Sequence, residues 1–305
     1  KSPMDRSKLV EFGNLELLAK QVVEGFITGM HKSPLHGFSV EFAEHRIYNQ
    51  GESTRHIDWK LFGRTDRLYT KKYEEETNLR CQMVIDCSPS MYFPADKHEN
   101  KLTFAIYAAV SLMELLKRQR DAYGISLFHE SLMLHTAAKS SPMHQRFVYA
   151  ELEKFFDTYS PTKNSDTHIS KALNEVAQSI PKRGMVIVFT DLWSSGENEE
   201  DFMNALSHLK HERHEVVIFH LYSRTIEQEF SLDNRPYILV DMETGEEVNL
   251  FAENMKVSYE KVVNTYFESI ANTCASYKIK YVPVSVNENF EKILTTYLIE
   301  KQKFV

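Results

Sequence analysis

Asp86-Cys87-Ser88-Pro89-Ser90 closes the apolar run Cys81-Gln82-Met83-Val84-Ile85. A strand that stops on Asp-x-Ser-x-Ser lifts one carboxylate and two hydroxyls out of a sheet edge together. These are hard oxygen donors, the set that Mg²⁺, Mn²⁺ and Ca²⁺ prefer over softer metals. Two more oxygen-bearing side chains fall in register with the pattern. Thr167 lies in a loop ahead of a helical stretch, and Asp191 ends the apolar run Met185-Val186-Ile187-Val188-Phe189-Thr190. Asp86, Ser88, Ser90, Thr167 and Asp191 thus outline one cation site carried on three separate loops. Taken singly, each hydroxyl has a plainer use, capping the helix that follows or bonding its own turn. Their coincidence with strand ends favours the metal.

Hydrolytic chemistry on the same cation is the competing reading, because an open coordination position can activate water. It needs a base or a second acid. Asp86-Cys87-Ser88 lacks the second acid of an Asp-x-Asp loop, and no G-x-x-x-x-G-K-[ST] phosphate cradle is present. The 13 His include no H-x-x-x-H or H-E-x-x-H spacing for zinc. His129, His135, His168 and His220 are acid–base candidates; His168 adjoins Thr167, but a lone His there reads first as a packing residue. The series His208, His211, His214 falls at a helix end, where exposure and a favourable dipole interaction are expected. The chain is therefore read as a binding protein rather than an enzyme.

The elements that must position the site alternate. Leu15 to Ile27 carries a helical stripe, ended by Gly29 and Ser33-Pro34. Residues 35 to 78 mix short extended pieces (Phe38–Phe42, Leu68–Tyr73) with turns and read as a small β-rich extension. From residue 79 the pattern becomes strand, helix, strand: strands at Arg80–Asp86, Tyr123–Phe128, Leu132–His135, Met185–Thr190, Glu215–Leu221 and Lys280–Val284. Helices fall at Leu102–Lys117, Gln145–Thr158, Ile169–Ser179, Glu199–Lys210, about 254–277 and 289–302. Tyr237–Val240 and Glu247–Leu250 form a hairpin. Fully apolar strands alternating with helices predict an α/β fold with a doubly wound, mainly parallel sheet. Residues 1–78 form a helix-plus-β extension and 79–305 the α/β domain.

Composition narrows the partners. The 305 residues are 42% hydrophobic and 26% charged, with 10 Gly and 9 Pro, which suits a globular chain with a large core. A net charge of −7 disfavours sequence-blind binding to nucleic acid or anionic lipid. No apolar run approaches the roughly 20 residues of a membrane span. Cys81 and Cys87 share one strand about 20 Å apart, out of disulfide reach. With Cys274 they make an odd, sparse set, which suggests reduced thiols and a cytoplasmic location.

The five site positions resemble the metal-ion-dependent adhesion site of von Willebrand factor A domains, whose pattern is Asp-x-Ser-x-Ser, then a loop Thr, then a loop Asp. The resemblance implies a Rossmann-type domain binding Mg²⁺, with Mn²⁺ or Ca²⁺ as alternatives, and a protein partner that supplies an Asp or Glu to the metal. One departure is Asp191-Leu192, where many members have Gly after the Asp. A longer signature covers Glu41-Phe42-Ala43-Glu44-His45-Arg46, Tyr48, Gly51-Glu52, Arg55, Ile57-Asp58-Trp59, Gly63-Arg64 and Leu68. It resembles the N-terminal signature of the bacterial family called domain of unknown function 58. Val240-Asp241 and Thr244-Gly245-Glu246 extend the likeness. That family implies association with a MoxR-type AAA+ ATPase. Within the signature, Arg46, Arg55 and Arg64 with Glu41, Glu44 and Asp58 are expected to form ion pairs that hold the extension in place; the alternative is a partner surface with Trp59 as its aromatic anchor.

Overall fold

A computed structural model describes residues 14–31, 45–47, 59–65, 67–71, 79–94, 100–158, 169–192, 199–230, 236–240 and 247–303. In chain order the elements are α1 (Leu15–His31), β1 (His45–Ile47), α2 (Trp59–Thr65), β2 (Tyr69–Lys71), β3 (Arg80–Asp86), α3 (Lys101–Arg118), β4 (Ala122–Phe128), β5 (Leu132–His135), α4 (Pro142–Thr158) and α5 (Ile169–Ser179). They continue with β6 (Met185–Thr190), α6 (Glu199–His211), β7 (Glu215–Tyr222), β8 (Pro236–Val240), β9 (Glu247–Phe251), α7 (Ala252–Ser276), β10 (Lys280–Ser285) and α8 (Glu291–Gln302).

Six strands form one mixed sheet in the order β10-β7-β6-β3-β4-β5. All neighbours run parallel except β4 and β5, which are antiparallel. The antiparallel pair follows from the short turn at His129–Ser131, since only antiparallel strands can be joined so tightly. Alternate residues of each central strand enter two separate cores. Met83, Ile85, Ile187, Phe189, Val217 and Phe219 pack beneath α1, α3, α4 and α8. Val84, Val186, Val188, Val216 and Ile218 pack beneath α5, α6 and α7. Burial on both faces explains why these strands read as unbroken apolar runs. The chain reverses its direction of travel after β5: the order grows rightward from β3 and then leftward from β6. That reversal makes the β3–β6 junction a switch point, where the strands' carboxyl ends open a crevice.

Several local features differ from expectation. α1 runs through Gly29 to His31, because Leu18, Val22, Val23 and Phe26 bury it against α3 and outweigh the roughly 1 kcal/mol helix penalty of a glycine. β1 and β2 pair antiparallel. Between them α2 stands where only strands and turns were expected; Trp59, Leu61 and Phe62 lack the strict alternation a strand needs. The predicted strand Phe38–Phe42 lies outside the described residues. So do the side chains of the expected ion-pair set, Arg64 apart, which is exposed at the end of α2. All three cysteines are free and buried. Burial, then the charge of Asp86, pushes the Cys87 thiol well up, so it is held in its unreactive form. Among the described residues no helix is long and apolar enough to cross a membrane.

His214 is buried instead of exposed, and its Nδ1 accepts the Gly184 N–H at 3.1 Å. The turn leaves no room beside Gly184, where a Cβ would meet the Arg80 carbonyl oxygen at 2.8 Å. Burial holds His214 neutral, below its ordinary pKa. The unfolded chain then takes up a proton near about pH 6.5 that the folded chain refuses, so stability is complete above that pH and is lost as pH falls below it. His214→Asn, which keeps an acceptor for Gly184, is expected to show a smaller drop in denaturation midpoint between about pH 7.5 and pH 5 than the wild type. Gly124 in β4 is similarly confined: a Cβ there would lie 2.3 Å from the Thr136 carbonyl oxygen and 2.4 Å from Gln82 Oε1. Gly124→Ala should destabilise by about 1–3 kcal/mol in urea denaturation, the range for overpacking.

Candidate metal centre

The parallel register Ile85↔Phe189 sets Asp86 beside Thr190, one residue before Asp191. Beyond β3, Cys87 N–H donates to the Phe128 carbonyl at 2.8 Å, which extends the β3–β4 pairing by one residue. The Ser88 N–H then donates to Asp86 Oδ1 at 2.9 Å and turns the chain back over its own carboxylate. Pro89 opens a short 3₁₀ turn over Pro89–Tyr92, where its missing N–H costs nothing. Ser88 stands at the cap position of that turn but makes no capping bond; its hydroxyl meets that of Ser90 at 3.0 Å. Asp86, Ser88 and Ser90 are all buried, as is Asp191.

Asp86 is tied a second time. Its Oδ2 accepts the Thr190 hydroxyl at 2.7 Å, and the same Thr190 oxygen accepts the Leu192 N–H at 3.0 Å. Leu192 has φ 55°, the left-handed region that glycine enters freely and a leucine enters at a cost of about 1–2 kcal/mol. A leucine held there makes the loop stiffer than a glycine would. Tyr266 of α7 donates its hydroxyl to the Leu192 carbonyl at 2.7 Å.

Charge is the unusual feature. Burial, and after it the nearby charge of Asp191, pushes the Asp86 carboxyl up to about 7, against the hydrogen bonds from Thr190 and Ser88. Asp191 Oδ2 accepts from the Lys101 ammonium at 2.7 Å, and Lys101 also reaches Glu227 Oε1 at 2.7 Å. Lys101 is the first residue of α3 and its side chain is 3% exposed. Burial pulls its pKa down, but Asp191 and Glu227 together outweigh that and leave it above the ordinary lysine value. Glu227 Oε2 accepts the Ser223 N–H at 2.5 Å, anchoring the turn after β7. His220, buried in β7, shares a 2.6 Å hydrogen bond with the Tyr281 hydroxyl and also bonds the Asp191 main chain. Burial lowers its pKa to about 4.

Four predicted site residues, Asp86, Ser88, Ser90 and Asp191, are thus brought to one place. Thr167 and His168 lie outside the described residues. No group of three or more His, Cys, Asp and Glu that could hold a metal occurs among the described residues. Among the described residues, a cation here would rely on two carboxylates plus hydroxyls. That donor set suits a hard divalent ion, which would relieve the repulsion between the two acids.

The sequence pattern described as "Protein of unknown function DUF58" matches residues 44–266. The chain belongs to the DUF58 family. Uncharacterized proteins of Mycobacterium bovis and Mycobacterium tuberculosis are 23% identical to this DUF58 chain over 177 residues, 58% of its length and 55% of theirs. The match thus spans little more than half of those relatives. Among solved structures, the conserved hypothetical protein BatB from Bacteroides thetaiotaomicron gives a TM-score of 0.40 at 15% identity, over 74% of this chain and 98% of that one. An aerotolerance-related membrane protein from Bacteroides fragilis gives 0.39 at 16%, over 73% and 99%.

Lys101, Thr190 and Glu227 join the site only in the folded chain. Lys101 did carry a signal: it opens a helix with no other charge before Glu114, and a cation in the first turn opposes the helix dipole. Such a residue needs a partner. Thr190 looked like one more strand residue, although a hydroxyl buried at a strand end must find a hydrogen bond. Thr190→Val keeps the volume and removes both hydroxyl bonds, and should cost about 1–3 kcal/mol by chemical denaturation.

Proposed function

We propose that residues 79–305 of this DUF58 protein form a von Willebrand factor A-like domain that binds a protein partner through a divalent cation. Asp86, Ser88, Ser90, Thr167 and Asp191 would be its ligands, and Mg²⁺ its usual ion. The observation that carries the reading is the buried pairing of Asp86 with Asp191 at the carboxyl ends of β3 and β6, on either side of the switch point. Two buried carboxylates that repel each other are costly unless a cation neutralises them. When bound, the ion supplies an open coordination position for an incoming acidic oxygen.

The chain's own residues prepare that position. The Ser88 N–H and Thr190 hydroxyl fix the two oxygens of Asp86, so little is lost in ordering them when an ion arrives. The Ser88 and Ser90 hydroxyls already face each other. Tyr266 and the strained Leu192 hold the loop that carries Asp191. The partner would contribute an Asp or Glu side chain, and family association suggests a MoxR-type AAA+ ATPase or its client, in the cytoplasm. The neutral His220, engaged with Tyr281 and Asp191, offers no ready proton acceptor for hydrolysis.

Isothermal titration with Mg²⁺ and Mn²⁺ tests the reading. The wild type is expected to bind one ion, and Asp86→Ala to lose at least tenfold in affinity. Capture of an acidic partner should then be chelator-sensitive in the wild type and absent in Asp86→Ala. Metal-dependent phosphoester or peptide turnover lost in the same variant would replace the adaptor reading with a hydrolase.

A further inference from the structure

The ammonium of Lys101 lies between two carboxylates at equal distances, 2.7 Å from Asp191 and 2.7 Å from Glu227. Glu227 is the more exposed, at 29%, and is fastened through its other oxygen to the Ser223 N–H. Lys101 also lies 5.7 Å from the centre of the Phe93 ring, a cation–π contact that favours a charged head there. A buried lysine in the first turn of a helix is penalised both by desolvation and by the dipole. The two acids offset most of that penalty.

We infer that Lys101 is a built-in competitor for the cation site: its ammonium holds Asp191 while the site is empty and passes wholly to Glu227 when a divalent ion binds. This rests on the metal-binding reading given above. Charge counting supports the transfer. Without an ion, Asp86, Asp191 and Glu227 face a single ammonium. With a divalent ion on Asp86 and Asp191, Lys101 and Glu227 remain as a balanced pair. The ion-bound state is then neutral, and Glu227 is the residue that makes it possible. Because Glu227 is bonded to Ser223, and the neighbouring Arg224 to Glu288, occupancy of the ion site is coupled to the turn after β7.

The two halves of this salt bridge are expected to act on ion affinity with opposite sign. Titration with Mn²⁺ should show Lys101→Met binding at least fivefold more tightly than wild type, since the competing charge is gone. Glu227→Gln should bind at least threefold more weakly, since Lys101 then has only Asp191. A purely structural ion pair would lower thermal stability in both variants and move the two affinities together, or not at all; that result overturns the inference. If Lys101→Met does not fold, the partly exposed Glu227→Gln decides alone, and unchanged or tighter binding there sinks the idea. Mn²⁺ binding by Lys101→Met but not by wild type would support it directly. Wild-type binding that is indifferent to Asp86→Ala would remove the site reading itself, a failure distinguishable from that of the Lys101 exchange.

Discussion

Two acids sharing one buried spot is the constraint around which this end of the molecule is arranged. Asp86 and Asp191 arrive there from strands that are neighbours in the sheet but far apart in the chain. Burial and the charge of Asp191 raise the cost of ionising Asp86. The surroundings answer with hydrogen-bond donors on Asp86, an ammonium on Asp191, and a second carboxylate to share that ammonium. Apart from the Ser88 N–H, these partners are distant in sequence from the group they serve, so the arrangement exists only when the sheet is complete.

The sheet supplies that completeness through its topology. A parallel sheet built outward from β3 in one direction and from β6 in the other leaves a gap between two crossovers that depart to opposite faces. α3 leaves β3 on one face and α6 follows β6 on the other, so the strand ends that carry Asp86 and Asp191 lie between helices departing to opposite sides. α3 does more than cover the core: its first residue delivers Lys101 into the crevice. The positions next to the crevice are stiff. Leu192 accepts a left-handed backbone and Tyr266 clasps its carbonyl, so the Asp191 loop is held from behind.

Much of this is legible in the unfolded chain. The central strands appear as apolar runs because both their faces are buried, and the helices of the α/β domain lie within a few residues of where their periodicity puts them. Asp86, Ser88, Ser90 and Asp191 stand out because carboxylates and hydroxyls that close an apolar run must sit at a strand end, where ligands are held. α2 was missed, since seven residues carry too little periodicity to tell a helical turn from a loop. The spacing with His208 and His211 predicts an exposed His214, yet the chain turns inward between His211 and His214 and seats it under Gly184.

Composition and pattern alone determined the α/β class, the run of elements from β3 to α8, and the oxygen character of the candidate site, because hydrophobic period and side-chain chemistry are local properties. Tertiary structure decided which oxygens meet, that Thr190 fastens Asp86, and that Lys101 stands between Asp191 and Glu227, residues 90 and 126 positions further along. A charge's partner is set by where strands and helices bring it in space, and no local pattern encodes a contact across such a separation.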